Sequence, residues 1–145
     1  MKRITIKDAE HKSYKAMLGM KQYIRNTNLP KILCELIKIR ASQINGCAYC
    51  IDMHSREAMQ IGETARRIFA LSAWKESPLF SEEERAALQL TEEVTLISKN
   101  GVNDDTYETA IKFFDEKTVA QIIMQIIIIN SWNRIAVSSR DIFER

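Results

Sequence analysis

Apolar residues recur along this chain at intervals of three and four, and no stretch keeps an alternating pattern of apolar and polar residues. Spacing of this kind places apolar side chains on one face of an α-helix, whereas alternation would indicate a β-strand. Only four Gly and two Pro interrupt the chain. The sequence therefore predicts an all-α fold, a compact bundle of about six to seven helices.

Capping and breaking residues divide this pattern into helices. Pro30 suits the first turn of a helix, Asn45-Gly46 suits a helix end, and Ser81 with Glu84 forms a capping box. The predicted helices cover residues 8–24, 30–44, 47–62, 64–74, 81–101, 104–114 and 117–138.

The last predicted helix has almost no polar face, because isoleucine fills positions 122, 123 and 126–129. A helix that is apolar on all sides must be buried on all sides. Such a helix either runs through the centre of the core or contributes to a subunit interface, and the sequence leaves both interpretations open.

Length, charge and composition limit the number of domains and the kinds of partner that this protein can be expected to have. A length of 145 residues predicts one domain, residues 1–145, and a net charge of +2 gives no argument for a nucleic-acid or membrane partner. The basic N-terminus is not followed by the apolar region of a signal peptide. The apolar run 119–129 contains Gln121 and Gln125 and is too short to span a bilayer. A cytoplasmic protein is expected.

The candidate chemistry lies between residues 47 and 54. If a helix begins near Cys47, Cys50 lies about 60° and His54 about 20° away from it around the helix axis. Free backbone N–H groups at the helix start favour a thiolate at Cys47, and His54, one turn after Cys50, can accept or return its proton. Two thiols and an imidazole on one stripe are suited to making and breaking a disulfide.

Zinc binding is the chief alternative for this stripe. The two cysteines and His54 are three zinc ligands, and a fourth could come from Glu35, Cys34 or His11. Zinc sites usually draw their ligands from two separated motifs, however, and the sequence has no second C-x-x-C or H-x-x-x-H.

Glu35 has two readings. Lys31 and Lys38, at i−4 and i+3, would explain it as part of a surface salt bridge. Ile32 and Ile39, at i−3 and i+4, flank its other side, where partial burial would penalise the charged carboxylate. Spacing alone does not decide between them.

Three further polar or reactive residues are expected to take no part. Cys34 is best explained as an inert core cysteine. Asp52 and Glu57 fall off the stripe that carries the cysteines, so both are predicted to be solvated.

Glu35, Cys47, Cys50 and His54, with their spacing, resemble the core of the AhpD-like alkylhydroperoxidases in the carboxymuconolactone decarboxylase superfamily. The run INGCAYCIDMHSREAMQIGET matches the central signature, and ALSAWKESPLFSEEERAAL and NSWNRIAV look like later family segments. The resemblance covers roughly residues 30 to 140. Within the last segment, we interpret the polar residues as a buried anchor or an interface contact: Asn130, Trp132, Asn133 and Arg134.

The resemblance implies a thiol-dependent peroxidase that cycles through a Cys47–Cys50 disulfide without bound metal, flavin or haem. Cys50 would react with the peroxide, Cys47 would resolve, His54 would act as base, and Glu35 would orient it. An external dithiol or a lipoyl-bearing protein would be the reductant, and the assembly would be a trimer or hexamer. The namesake decarboxylases do not use this C-x-x-C, which disfavours that reaction.

This chain departs from the better-known members beside Cys50. Those members carry a second histidine next to the second cysteine, and this chain has Tyr49 there. Any proton relay should therefore rest on His54 and Glu35. Local physics divides between the two thiols: Cys47 is nearer the helix N-terminus, but a helix dipole is worth only about 0.3–1 kcal/mol to an anion there. A base one turn away is the stronger means of ionising Cys50.

Overall fold

Helices account for the whole regular structure in the computed structural model, which describes residues 1–141. No strand occurs within that range, so the predicted all-α class is confirmed. A 3₁₀ turn, Leu71–Ala73, follows α5. The helices are α1 (Ile6–Ala9), α2 (His11–Arg25), α3 (Lys31–Asn45), α4 (Ala48–Gln60), α5 (Ala65–Ala70), α6 (Glu82–Thr95), α7 (Ile97–Asn100), α8 (Asp104–Phe113) and α9 (Glu116–Ser139).

Helix α3 lies at the centre, packed against α4, α6 and α9. Its apolar side chains point in two directions. Leu33 and Ile37 join a cluster with residues of α2, α6, α8 and α9, whereas Leu36 and Ile39 join one with α4, α5 and α6. Because α3 is covered on both sides, a charged group on it such as Glu35 is held in a largely dehydrated setting.

Helix α9 is mainly a core helix. It contacts α2, α3, α4, α6 and α8, and most of its isoleucines are buried. Ile127 and Val137 remain 43% and 47% exposed. A place in the core therefore explains most of the apolar surface of this helix. No helix within residues 1–141 combines the length and the apolar character needed to cross a bilayer.

Three predicted helices end differently in the structure. The first is divided at Glu10, whose backbone is not helical (φ −141°, ψ 72°), and Thr5 caps the separate one-turn helix before it, which has no buried residue. The fourth stops at Ala70 and tightens into the 3₁₀ turn. The fifth stops at Thr95, and the short α7 then runs to Gly101, whose φ of 67° suits glycine.

A buried network of amides fixes α9 against α3. The Asn45 side chain donates to Oδ1 of both Asn130 and Asn133, each at 2.9 Å. Asn133 donates to the Ser42 hydroxyl at 2.9 Å, and Asn130 donates to the Thr95 hydroxyl of α6 at 3.0 Å. Asn130 and Asn133 are 9% and 1% exposed, so both are buried polar anchors, one of the two interpretations made from the sequence.

Asn133→Ala should lower the free energy of unfolding by about 2–3 kcal/mol, since it removes two hydrogen bonds and leaves buried polar atoms short of partners. Urea denaturation measures the change. Ser131→Ala is the matched control on α9, because the Ser131 hydroxyl bonds only to the Ile127 carbonyl at an exposed position. Equal midpoints for the two variants would show that the network contributes little.

Candidate functional site

The turn between α3 and α4 places the two cysteines. Gly46 adopts φ 66° and ψ 33°, a left-handed conformation that suits glycine and ends α3. Cys47 is then the N-cap of α4, and its sulfur accepts the backbone N–H of Cys50 at 3.3 Å. The backbone N–H of Cys47 donates to the Ser42 carbonyl at 3.0 Å. The helix start predicted near Cys47 is therefore present.

Cys47 and Cys50 are joined in a disulfide, with Cα atoms 5.3 Å apart. Both are almost fully buried, at 1% and 2% exposure, and they pack against Tyr49 and Ala136. Cys34 is a free, half-buried cysteine, and burial raises the pKa of its thiol. A raised pKa keeps Cys34 in the unreactive thiol form, in line with its predicted lack of a role.

His54 contacts two carboxylates through the same ring nitrogen. Its Nδ1 lies 3.1 Å from Oε2 of Glu57 and 3.3 Å from Oε2 of Glu35. Lys38 donates to the other oxygen of Glu35 at 2.5 Å. A proton on Nδ1 can be donated to one of these carboxylates at a time, and it leaves Nε2 without a proton. The structure favours the second interpretation of Glu35, since its side chain is buried at 8% exposure; its salt bridge to Lys38 is partly buried rather than on the surface.

Only one of the two carboxylate contacts is aligned as a hydrogen bond. The contact of His54 with Glu57 meets that geometry, whereas Oε2 of Glu35 is buried and has no hydrogen-bond partner among the described residues. A buried carboxylate oxygen without a partner is costly. A small reorientation of the imidazole would satisfy it, so the two glutamates compete for one N–H group.

Glu57 is the site residue that sequence reasoning missed. It was expected to be solvated, but the structure places it against His54, with its side chain 43% exposed. The hydrogen bond from His54 lowers the pKa of Glu57, and Lys38 and Lys21 lower it further. The available signal was the i+3 spacing from His54, because residues three apart are neighbours on a helix. Asp52 instead pairs with Arg56 on the surface.

A cavity of about 420 Å³ opens onto these groups. Cys50, His54, Glu35 and Glu57 all contribute to its wall, whereas Cys47 is not among the described residues that line it. Helices α2 and α9 form most of the remaining wall. A molecule in this cavity would therefore meet the second cysteine and the histidine together.

The sequence model of the carboxymuconolactone decarboxylase family matches residues 12–93, which is more than half of the chain. The chain belongs to this family. It is also 41% identical over 136 residues to the uncharacterized protein YdfG of Bacillus subtilis, covering 94% of this chain and 92% of YdfG.

Two solved structures extend the family likeness to the fold. ATU0492 of Agrobacterium tumefaciens, a protein of unknown function provisionally described as an antioxidant defence protein AhpD, superposes with a TM-score of 0.96 at 38% identity, over 100% of this chain and 99% of that one. A cysteine-to-alanine variant of the debrominase Bmp8, in complex with 2,3,4-tribromopyrrole, gives a TM-score of 0.80 at 20% identity over 90% of this chain and 70% of its own. The AhpD-like assignment is confirmed, and the second likeness concerns the fold alone.

Within the family pattern, this site has one imidazole and two carboxylates. Tyr49, which stands where the better-known members carry a histidine, is half-buried and lines the cavity beside Cys50. Glu57, one turn further along α4, supplies a second carboxylate at Nδ1 of His54 beside that of Glu35.

The residues that could bind a metal in the structure differ from the zinc ligands considered from the sequence, which were Cys47, Cys50 and His54. Donor atoms of Glu35, His54 and Glu57 all lie within 4.8 Å of one another. Cys47 and Cys50 are paired with each other, so their sulfurs are not thiolate ligands in this state. His11 begins α2 at an exposed position and lies outside this cluster.

Glu57→Gln should make the free energy of unfolding depend less steeply on pH in the acid range. Because the folded pKa of Glu57 is lowered, its stabilisation is fully present above its ordinary pKa near 4.5 and disappears as pH falls through the lower folded value. We expect a difference below about 1 kcal/mol, since the Glu57 side chain is 43% exposed and solvent screens its contact with His54. Urea denaturation of both proteins between about pH 3 and 6 measures it. Parallel profiles would contradict the assigned contact.

Proposed function

We propose that this protein is a thiol-dependent peroxidase of the alkylhydroperoxidase type, which reduces hydroperoxides through a Cys47–Cys50 disulfide. The observation that carries the proposal is the shared cavity. Cys50 lines it together with His54 and Glu35, and the Cys50 sulfur is within bonding distance of a second cysteine. A peroxide bound there has a nucleophile, a base and a resolving thiol within reach.

The proposed cycle balances without a metal, flavin or haem. The Cys50 thiolate attacks the terminal peroxide oxygen, the O–O bond breaks, and Cys50 becomes a sulfenic acid while the alkoxide leaves as an alcohol after taking a proton. Cys47 then attacks the Cys50 sulfur, forming the disulfide and releasing water. An external dithiol, free or on a lipoyl-type protein, reduces the disulfide by exchange and is itself oxidised.

His54 is the proposed base that generates the thiolate. It lies one turn after Cys50 on α4, and its Nδ1 faces the carboxylates, so Nε2 is left to accept the thiol proton. Glu35 would hold the ring in that orientation and stabilise the imidazolium. Lys38 offsets the charge of Glu35, so the buried carboxylate is not isolated.

Access favours Cys50 over Cys47 as the attacking thiol. Cys50 belongs to the cavity wall, whereas Cys47 is not among the described residues that line it and caps α4 with its sulfur. The helix dipole at Cys47 contributes only about 0.3–1 kcal/mol, less than a base placed one turn from Cys50 can supply. Cys47 is accordingly the proposed resolving thiol.

Dithiol-dependent peroxide consumption tests the proposed activity. Wild type should turn over an organic hydroperoxide with a dithiol, and Cys50→Ser should lose at least about a hundredfold in rate because the attacking sulfur is gone. Cys34→Ser is the matched control, since Cys34 lines the same cavity but stays outside the disulfide. A wild-type protein that is oxidised but never turns over would instead be a redox sensor.

Trapping of sulfenic acid then assigns the roles of the two thiols. Cys47→Ser should accumulate sulfenic acid at Cys50, and adding His54→Gln should slow its formation. Cys50→Ser should trap none. Trapping at Cys47 in Cys50→Ser, as fast as wild type loses its thiols, would reverse the assignment.

A homo-oligomer, a trimer or hexamer as the family resemblance implies, is also proposed. Large apolar side chains remain exposed within residues 1–141, among them Ile111 at 47% and Ile127 at 43%, and such side chains are common in subunit interfaces. Light scattering at micromolar concentration should give three or six times the chain mass, and the mass of a single chain would refute the proposal.

Metal binding is the second candidate function, because Glu35, His54 and Glu57 bring three donor atoms together. Metal analysis of freshly purified, reduced protein distinguishes it from the peroxidase. A stoichiometric ion that is lost in Glu57→Gln, together with no peroxide turnover, would favour this alternative.

A further inference from the structure

The cavity runs between α2 and α9, and its ends differ in chemistry. Tyr14 on α2 meets Trp132 on α9, with ring centroids 5.6 Å apart. Further along α2, Ile24 packs in the cluster that holds Ile122 and Ile126 of α9. The two helices are therefore antiparallel, and the end of α2 approaches the earlier turns of α9.

The reactive sulfur lies at the other end. Cys50 packs against Ala136, which is eleven residues after Gln125 on α9, and both α9 residues line the cavity. Eleven residues of helix span about 16 Å. Between these levels the α9 side of the wall is apolar, with Ile128, Ile129 and Trp132, whereas the facing side on α3 and α4 carries Glu35 and His54.

At the end of the cavity away from the Cys50 sulfur, two basic side chains have no acidic partner among the described residues. Of the basic side chains that line the cavity, Lys38 pairs with Glu35, and Lys21 lies near Glu57. Arg25 and Lys31 make no salt bridge with any described residue. Lys31, the first residue of α3, donates to the Arg25 backbone carbonyl at 3.3 Å, which places its ammonium group at the end of α2; both side chains are exposed at this end of the cavity.

The charge balance fits one anionic group. Four basic and three acidic side chains line the cavity, the third acid being Asp141, so one positive charge remains when His54 is neutral. Gln125 adds a buried amide, 2% exposed, that makes no hydrogen bond to another described residue. A buried amide facing a cavity is ready to bond to a polar group of a ligand.

We propose that the substrate is an apolar carboxylic acid carrying its hydroperoxide at a distance from the acid group, as in a long-chain fatty acid hydroperoxide. The carboxylate lies by Arg25 and Lys31, the hydrocarbon follows α9, and the peroxide reaches Cys50. This inference rests on the proposed peroxidase function. The reaction is the one given above, and the product is the corresponding hydroxy acid with its carboxylate unchanged.

Turnover with matched substrates tests the inference. The reduced protein should consume linoleic acid hydroperoxide with a kcat/KM about tenfold or more above that of its methyl ester, which lacks the charge. The Arg25→Gln, Lys31→Gln double variant should lose this preference through KM. Lys15→Gln, an exposed cation of α2 outside the cavity wall, is the matched control and should keep the preference.

Calorimetry with dodecanoate, which has no peroxide, separates the two proposals. Charge-dependent binding that the double variant weakens about tenfold supports the inference. Equal turnover of acid and ester, with no dodecanoate binding, overturns the inference and leaves the peroxidase standing. Dodecanoate binding without turnover of any hydroperoxide overturns the peroxidase, and the substrate assignment with it.

Discussion

The hydrogen bonds of Asn133 fix helix α9 against α3, and the geometry of the rest of the site depends on this arrangement. A helix as rich in isoleucine as α9 can pack in more than one register, because apolar contacts have little directionality. Buried amides have few satisfactory geometries, and leaving one unpaired costs about 1–3 kcal/mol. Asn130 and Asn133, with Asn45 and Ser42 of α3, therefore select one register for α9. Ser42 in turn accepts the backbone N–H of Cys47, so the register of α9 and the place of the cysteines are linked.

The fold class and the cysteine–histidine stripe could be predicted because both depend on local rules. Helical spacing, Gly46 and the capping box at Ser81 act over a few residues, and each is present in the structure. The division at Glu10 and the early end of α6 are changes of backbone conformation at single residues, which apolar spacing does not reveal. The cavity could not be predicted either, because it is formed by side chains of four helices that meet only in the folded chain.

His54 has one contact that could be predicted from local sequence and another that depends on packing between helices. Its relation to Cys50 follows from position on α4, whereas its contact with Glu35 requires α3 and α4 to pack side by side. Glu57 falls outside the stripe that carries the cysteines, and its contact is with the histidine three residues earlier. With two carboxylates at one nitrogen, the ring can change partners by a small rotation and keep a negative charge beside it throughout.

The four groups assigned to the chemistry lie on α3, α4 and the turn between them, whereas much of the opposite wall of the cavity belongs to α2 and α9. Helix α2 contributes little to the core, with Ile24 as its single buried residue. Substitutions along α2 can thus alter the shape and charge of the entrance at small cost in folding stability and without moving the thiols. Such a division lets proteins that descend from one ancestor come to bind different molecules in the cavity while they keep the same reactive residues.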